Sequence, residues 1–497
     1  MEKSEAALGP VKYIRLDRKQ LRWEALDLEQ LITEDHAARL IWEVSGSLEL
    51  GHFEQEQKSR EGGAGRPCWP ARLLVSVWVY SYTLGVASAR AIERMMSHEP
   101  GLRWLAASET INHHSLADFR VGHKEALEGL FAQFLALLDE AGMVDLRTLM
   151  QDGTKVKAVA GRRSLHRRKT LEKRLRQARQ AVRELDRQAA QEEAMDERRR
   201  AAQARAAQEA LARARAALKK LQALEADKAA SQQAEVRVSE SEPEARNMKQ
   251  PDGGWAPSYN VQITTETQSR MIVGVRVTTA NDTQELLPAL EKVEENCGEL
   301  PATIIADNGY ATRSNVERTS EQDMEFIAPW KEDRSREAGA CARNGIAAEF
   351  APSAFRMQRG GQRLVCPAGK SLVILQQKIH HGVLRKVFAA RPSDCRRCRW
   401  RRACCGKSAA SRRVERVVES PAMQRYLARL KRPEVRQLYR RRSEIAEFPH
   451  LWAKGVKNWR RFSVRGLLKA GSEALWVALS YNMAQWIRLR PLVQAVG

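Results

Sequence analysis

Residues 148–163 read TLMQDGTKVKAVAGRR. The stretch reads as a strand that ends on Asp152, because the pair that follows, Gly153-Thr154, forms turns. A second apolar run, ATIIADNGYA at residues 302–311, ends the same way on Asp307 before Asn308-Gly309. Between them YNVQITTETQSRMIVGVRVTTAND alternates as two strands with a turn at Thr265 to Ser269, and TQELLPALEKVEENCG follows with helical spacing. Strand, hairpin, helix and strand in that order predict a mixed α/β sheet that holds two carboxylates at one edge.

Between Gly161 and Pro243 the chain contains neither glycine nor proline. Leu171, Leu175, Ala178, Val182, Leu185 and Ala189 step as a heptad seam, and a second seam runs through Leu211, Ala214, Leu218 and Leu221. One very long helix or a helical hairpin satisfies this pattern equally. From Leu21 to Gly142 the pattern is also helical. Ser115 is the expected N-cap of a helix carrying Phe119, Leu127, Leu130, Phe131, Phe134 and Leu138, with Gly142 as its stop. PARLLVSVWVYSYTLGVASARAIERMM predicts two helices broken near Gly85, either a helix-turn-helix displaying Arg90 and Arg94 or a packed hairpin. The last segment, SEALWVALSYNMAQWIRL, carries a stripe of Leu475, Leu479, Met483 and Trp486 suited to packing on the sheet.

With 497 residues the chain has room for two to four domains. Its 84 Lys and Arg against 61 Asp and Glu leave a formal charge of +23, which favours a polyanionic partner, nucleic acid before a membrane surface. The longest apolar candidate, LLVSVWVYSYTLGV from Leu73, is too short to span a bilayer. The first residues, MEKSEAALGP, lack a signal pattern, so a cytoplasmic location is expected.

Five of the eight cysteines, Cys366, Cys395, Cys398, Cys404 and Cys405, fall close together. In a reducing compartment CRRCRWRRACC with Cys366 upstream suggests a closed structural Zn²⁺ site of Cys366, Cys395, Cys398 and either Cys404 or Cys405. Arg396, Arg397, Arg399, Arg401 and Arg402 lie between and beside these positions as a guanidinium surface. The pair His113-His114 reads as an ordinary polar loop. Two strand-end carboxylates suit hard divalent ions, and two such ions about 3.5–4 Å apart support phosphoryl transfer.

In order along the chain, DGTKVKAVAG, SEPEARNMK, YNVQ, VTTAND, ADNGY and EFPHLWAKGVKNWRRFSVRGLLKAGSEALWVALSYNMAQW resemble a bacterial insertion-sequence transposase of the DDE type. The resemblance runs from about residue 12 to 490. It implies a helical N-terminal domain (1–142), a ribonuclease H-like core (143–161 and 241–345), a coiled-coil-like helical insertion (162–240), a Cys/Arg-rich insertion of zinc type (346–420) and a C-terminal part completing the core (421–497). The family's acidic triad falls on Asp152, Asp307 and Glu447, with Mg²⁺ or Mn²⁺ as the implied cofactor. Lys454 stands at the family's spacing, with six residues between it and Glu447, and nearly two helical turns bring both to one face. Arg442 precedes Glu447 by four intervening residues where the family has three, which leaves Glu444 as a fallback. Pro449 places Glu447 at a helix start, since proline suits only the first turn. Lys155, Arg442, Lys454 and Arg465 are the expected DNA contacts. The implied activity is cleavage of element-end DNA followed by strand transfer, by a homodimer on paired ends in the nucleoid. A nuclease that cuts without joining, or a DNA-binding architectural or regulatory protein without turnover, is the alternative.

Overall fold

The structure, a computed structural model, describes residue 19 and residues 25–55, 67–189, 197–330, 334–358, 360–380, 383–406 and 409–494. At its centre lies strand β1 (Thr148–Lys157), followed in chain order by β2 (Arg246–Lys249), β3 (Trp255–Glu266), β4 (Ile272–Thr278), β5 (Thr303–Ala306) and β6 (Glu325–Ile327). β3 pairs antiparallel with one edge of β1, and its far edge carries β2 and β4, both antiparallel. On the other edge of β1 lies β5, parallel, and beyond it β6, also parallel. The parallel pairing of β1 with β5 ends at Gln151↔Ala306, while the ladder with β3 continues to Lys157↔Ser258.

Alternation along the strands divides the core in two. Leu149, Ile304 and Phe326 face the main core beneath the closing helix Leu467–Gln494, and Met150, Ile305 and Ile327 face a smaller core with Val435, Ile445 and Ala446. In the closing helix Leu475, Leu479 and Met483 are buried as their stripe predicts, and Trp486 packs against them partly exposed. Asn482 fastens that helix to β4 by accepting from Ile272 N–H and donating to its carbonyl, each at 2.8 Å.

The N-terminal helices differ from expectation at one point. Instead of a single helix capped by Ser115, the chain forms His113–Gly122, capped by Asn112, whose Oδ1 accepts from Ser115 N–H at 2.8 Å, and then Lys124–Glu140. The break falls at His123 (φ −120°, ψ 53°). The apolar spacing carries through this break and therefore concealed it. Ala71–Thr83 is buried along nearly its whole length, which identifies a core helix, and Gly85 (φ +77°) turns the chain toward Ala89–Met95.

The glycine-free segment is a hairpin of two helices, Arg168–Ala189 and Glu197–Ala226. An Arg168–Glu225 ion pair sits at its base, where Leu171 meets Ala217, Leu218, Leu221 and Val238. The segment's ends meet in a short ladder, Leu165↔Ser239 and His166↔Val238. A second, antiparallel sheet contains Arg356–Met357, Arg363–Val365, Ser371–His380, Val383–Ala390 and Arg413–Val417 around Phe355, Leu364, Leu372, Phe388 and Val414. Among the described residues no helix is long and apolar enough to cross a membrane.

Candidate active site

Asp152 and Asp307 each follow directly on the last parallel pair, Gln151↔Ala306, so the sheet sets them side by side. Asp152 does not end its strand, as its turn-forming neighbours suggest. β1 continues through Gly153 and Thr154 as a ribbon with β3. Glycine is required at 153 for a packing reason: a Cβ there would stand 2.5 Å from both Asp282 Oδ1 and Gln262 Nε2. Asp307 does begin a turn, in which Gly309 N–H donates to its Oδ1 at 2.7 Å.

The two carboxylates have opposite electrostatic surroundings. Arg442 Nη2 lies 2.8 Å from Asp152 Oδ1, and His450 Nε2 lies 3.5 Å from Oδ2 without a formed hydrogen bond. Burial pushes the Asp152 carboxyl up, but His450, Arg442 and the Gly153 N–H outweigh it and hold the group below the usual carboxylate range. At Asp307 burial prevails over Gly309 N–H and Arg442, with Asp152 and Asp282 adding repulsion, and the carboxyl lies above that range. Asp307 thus lacks a full counter-charge, which is what a divalent cation would supply. Mg²⁺ is commonly bound by one or two carboxylates plus water and phosphate oxygens, and Asp152 with Asp307 fits that requirement. Among the described residues no three His, Cys, Asp or Glu groups already close on one point.

Arg442 to Leu451 form one helix, so Glu447 lies in its interior and Pro449 in its last turn, contrary to the expected helix start. Proline withholds the N–H owed to Ile445, and the helix opens immediately afterwards into a π turn, Trp452–Val456. That wider turn carries Lys454 back onto β1, where Nζ donates to Thr154 Oγ1 at 2.5 Å and to Lys155 carbonyl at 2.7 Å. Burial, with help from Arg460 and against Asp152, brings Lys454 down to about 8. The chain then runs beside β1, Lys157 N–H donating to Arg460 carbonyl and Phe462 N–H to Lys157 carbonyl.

The structure therefore brings together Asp152, Asp307, Arg442 and Lys454. Arg442, expected on DNA, is turned inward onto Asp152. Lys155 and Arg465 are exposed. Glu447 and Glu444 are both exposed, and among the described residues neither makes a hydrogen bond or ion pair. Two neighbours escaped the sequence reading, His450 and Asp282. The signal for the second lay in YNVQ and VTTAND: Asn260 and Gln262 share one face of β3, and both donate at 2.8 Å to Asp282 Oδ1.

Cys366, Cys395, Cys398, Cys404 and Cys405 line one pocket, and Lys370 N–H donates to Cys366 Sγ at 3.2 Å. Among the described residues these thiols form no group arranged to hold a metal ion. Cys366, Cys395 and Cys404 pack on the apolar core of the second sheet. Burial raises the Cys404 thiol to about 12 against the opposing charge of Arg412. His113 starts a helix and pairs with Glu93 at 2.8 Å.

Comparison with known families gives two matches. A family model described as a transposase DDE domain matches residues 365–487, and one described as a transposase domain (DUF772) matches residues 26–121. The first takes in Glu447, Lys454 and Arg465 but neither Asp152 nor Asp307. No curated protein matches the chain.

Proposed function

We propose, from the two transposase family models that match parts of the chain, that it is an insertion-sequence DDE transposase that binds element-end DNA and catalyses metal-dependent phosphodiester cleavage and strand transfer. The observation that carries the reading is the pairing of Asp152 with Asp307 where the β1–β5 ladder ends, with Lys454 laid against the next residues of β1. The strand order supports a ribonuclease H-like core: a central strand between an antiparallel hairpin and two parallel strands, with helices on both faces.

When bound, Mg²⁺ or Mn²⁺ would polarise the scissile phosphate and lower the pKa of an attacking water or 3′-hydroxyl. Asp152 and Asp307 would hold it. Arg442 and His450 flank the Asp152 carboxylate meanwhile, and Arg442 has a further N–H, Nε, buried without a partner among the described residues. Glu447 would complete the acidic set by swinging its exposed side chain inward. Lys454, held by Thr154, would meet a phosphate oxygen one residue pair beyond the carboxylates. Exposed Lys155, Arg460, Arg461 and Arg465 would attract the backbone without reading bases. Two copies would act across paired ends. A structural Zn²⁺ would need the thiols of Cys366, Cys395, Cys398 and Cys404 or Cys405 to draw together. Elemental analysis of reduced protein measures that directly.

Labelled duplexes carrying the element's ends, incubated with Mg²⁺ or Mn²⁺, test the proposal. Joined products are expected. Cut but unjoined products would instead identify a nuclease, and binding without cutting an architectural or regulatory protein.

A further inference from the structure

Asp282 occupies a position that its place in a surface turn does not explain. It opens the short turn Asp282–Gln284 after β4, yet its carboxylate lies between the two glycines that follow the proposed metal-binding aspartates. A Cβ at Gly153 would stand 2.5 Å from Asp282 Oδ1, and one at Gly309 would stand 2.9 Å from Asp307 Oδ1 and 3.6 Å from Asp282 Cβ. Neither glycine can gain a side chain at 153 or 309 without crowding these groups. The three carboxylates thus share a cradle kept clear by two missing side chains.

The orientation of Asp282 is enforced from beneath. Gln262 Oε1 accepts from Tyr310 Oη and from Gln151 Nε2, which turns its Nε2 toward Asp282 Oδ1. Asn260 Nδ2 donates to the same oxygen and also to Ala280 carbonyl at 3.2 Å. Oδ1 therefore receives two N–H groups, while among the described residues Oδ2 makes no hydrogen bond or ion pair. Asp282 raises the Asp307 carboxyl by repulsion, after the larger effect of burial. Holding a third negative group against two others is unfavourable unless a cation joins them.

We propose that Asp282 is a positioning residue of the metal site, its free Oδ2 accepting a hydrogen bond from a water on the ion held by Asp152 and Asp307. This rests on the reading of those two aspartates given above. Mg²⁺ keeps several of its waters, so a carboxylate need not reach the ion to orient its shell. Partners of this kind change metal affinity by about 10- to 100-fold.

Calorimetric titration of the DNA-free full chain with Mn²⁺ tests it. Asp282→Asn keeps an oxygen for Asn260 and Gln262, so its melting temperature should stay near the wild type's while Mn²⁺ affinity falls by about tenfold or more. Asp307→Asn should lose Mn²⁺ binding. If Asp307→Asn loses binding and Asp282→Asn binds as tightly as wild type, the role of Asp282 is overturned and the aspartate pair stands. If wild-type protein binds no Mn²⁺, the pair itself fails and the proposal with it. A second measurement needs no variant: Fe²⁺ with peroxide cuts backbone beside a bound ion. Cuts are expected near Asp152, Asp307 and Asp282. Cuts at the first two without any at 280–284 would contradict the placement.

Discussion

Lys454 is the residue whose environment speaks most directly about DNA. Its Nζ is drawn under the backbone of β1, and burial lowers it to about 8. A phosphate would restore its charge, so binding should take up a proton wherever the free protein has lost it. The sign follows: below about 8 the ammonium is already charged and affinity for end DNA is flat. As pH rises above 8 affinity should weaken, by up to about tenfold per pH unit. Filter binding from pH 7 to 9 should show this fall in wild type and not in Lys454→Gln. An equal fall in both would remove Lys454 from the interface. The choice between two glutamates belongs to the same scale. Glu447 and Glu444 both lie between Arg442 and His450, which flank Asp152, but Glu447 has Lys454 seven residues on, whereas Glu444 has exposed Leu451 at that spacing. Glu447→Gln should abolish cleavage and Glu444→Gln should cost less than about tenfold, roughly 1.4 kcal/mol. The reverse result would show the tail to be misaligned. Asp152 and Asp307 could be read in the sequence because each ends an apolar run. His450 could not, because it reaches the site through the packing of a distant helix, and Asp282 escaped because its signal, Asn260 and Gln262 on one face of β3, points to the site only once the register Gly153↔Gln262 is known.

Elements were legible where one period governs them. The heptad steps after Leu171 predicted helix, and the structure settles on a hairpin, because the second seam folds back on the first at Leu171 and Leu221. The strands of the core were legible from alternation and from Asn308-Gly309. The π turn at Trp452–Val456 was not, since no spacing rule marks it; it follows a helix that carries Pro449 in its last turn. Pro449→Ala restores an N–H for the Ile445 carbonyl and should let the helix run on regularly. Lys454 would then rotate off Thr154. Cleavage should drop by about tenfold, roughly 1.4 kcal/mol, while the melting temperature stays within a few degrees of wild type. Unchanged cleavage would show that the π turn has no part in placing Lys454.

Across the whole molecule, one buried carboxylate ties the N-terminal helices to the closing helix and the segment before it. Glu473, on the closing helix, is fully buried and accepts from Trp459 Nε1, Ser463 N–H and Ser463 Oγ. Arg120 donates to the same Ser463 hydroxyl and to Ala87 carbonyl, and lies over the Trp78 ring. Burial raises the Glu473 carboxyl, with Arg120 opposing. Removing it strands several donors, so Glu473→Ala should lose about 3–5 kcal/mol in urea unfolding. A loss under 1 kcal/mol would mean that these parts are joined by apolar packing alone. Nothing in the local sequence marked Glu473, because its partners lie on elements far apart in the chain.

The proposed function stands on the Asp152–Asp307 pair performing metal-dependent chemistry on DNA. The most direct measurement is Mn²⁺-dependent cleavage of a labelled end duplex by wild type, Asp152→Asn and Asp307→Asn, with binding measured in parallel. Both variants should lose cleavage by at least about 10³-fold, some 4 kcal/mol, while binding the duplex within a few fold of wild type, since the basic surface is untouched. Undiminished cleavage by either variant would contradict the account.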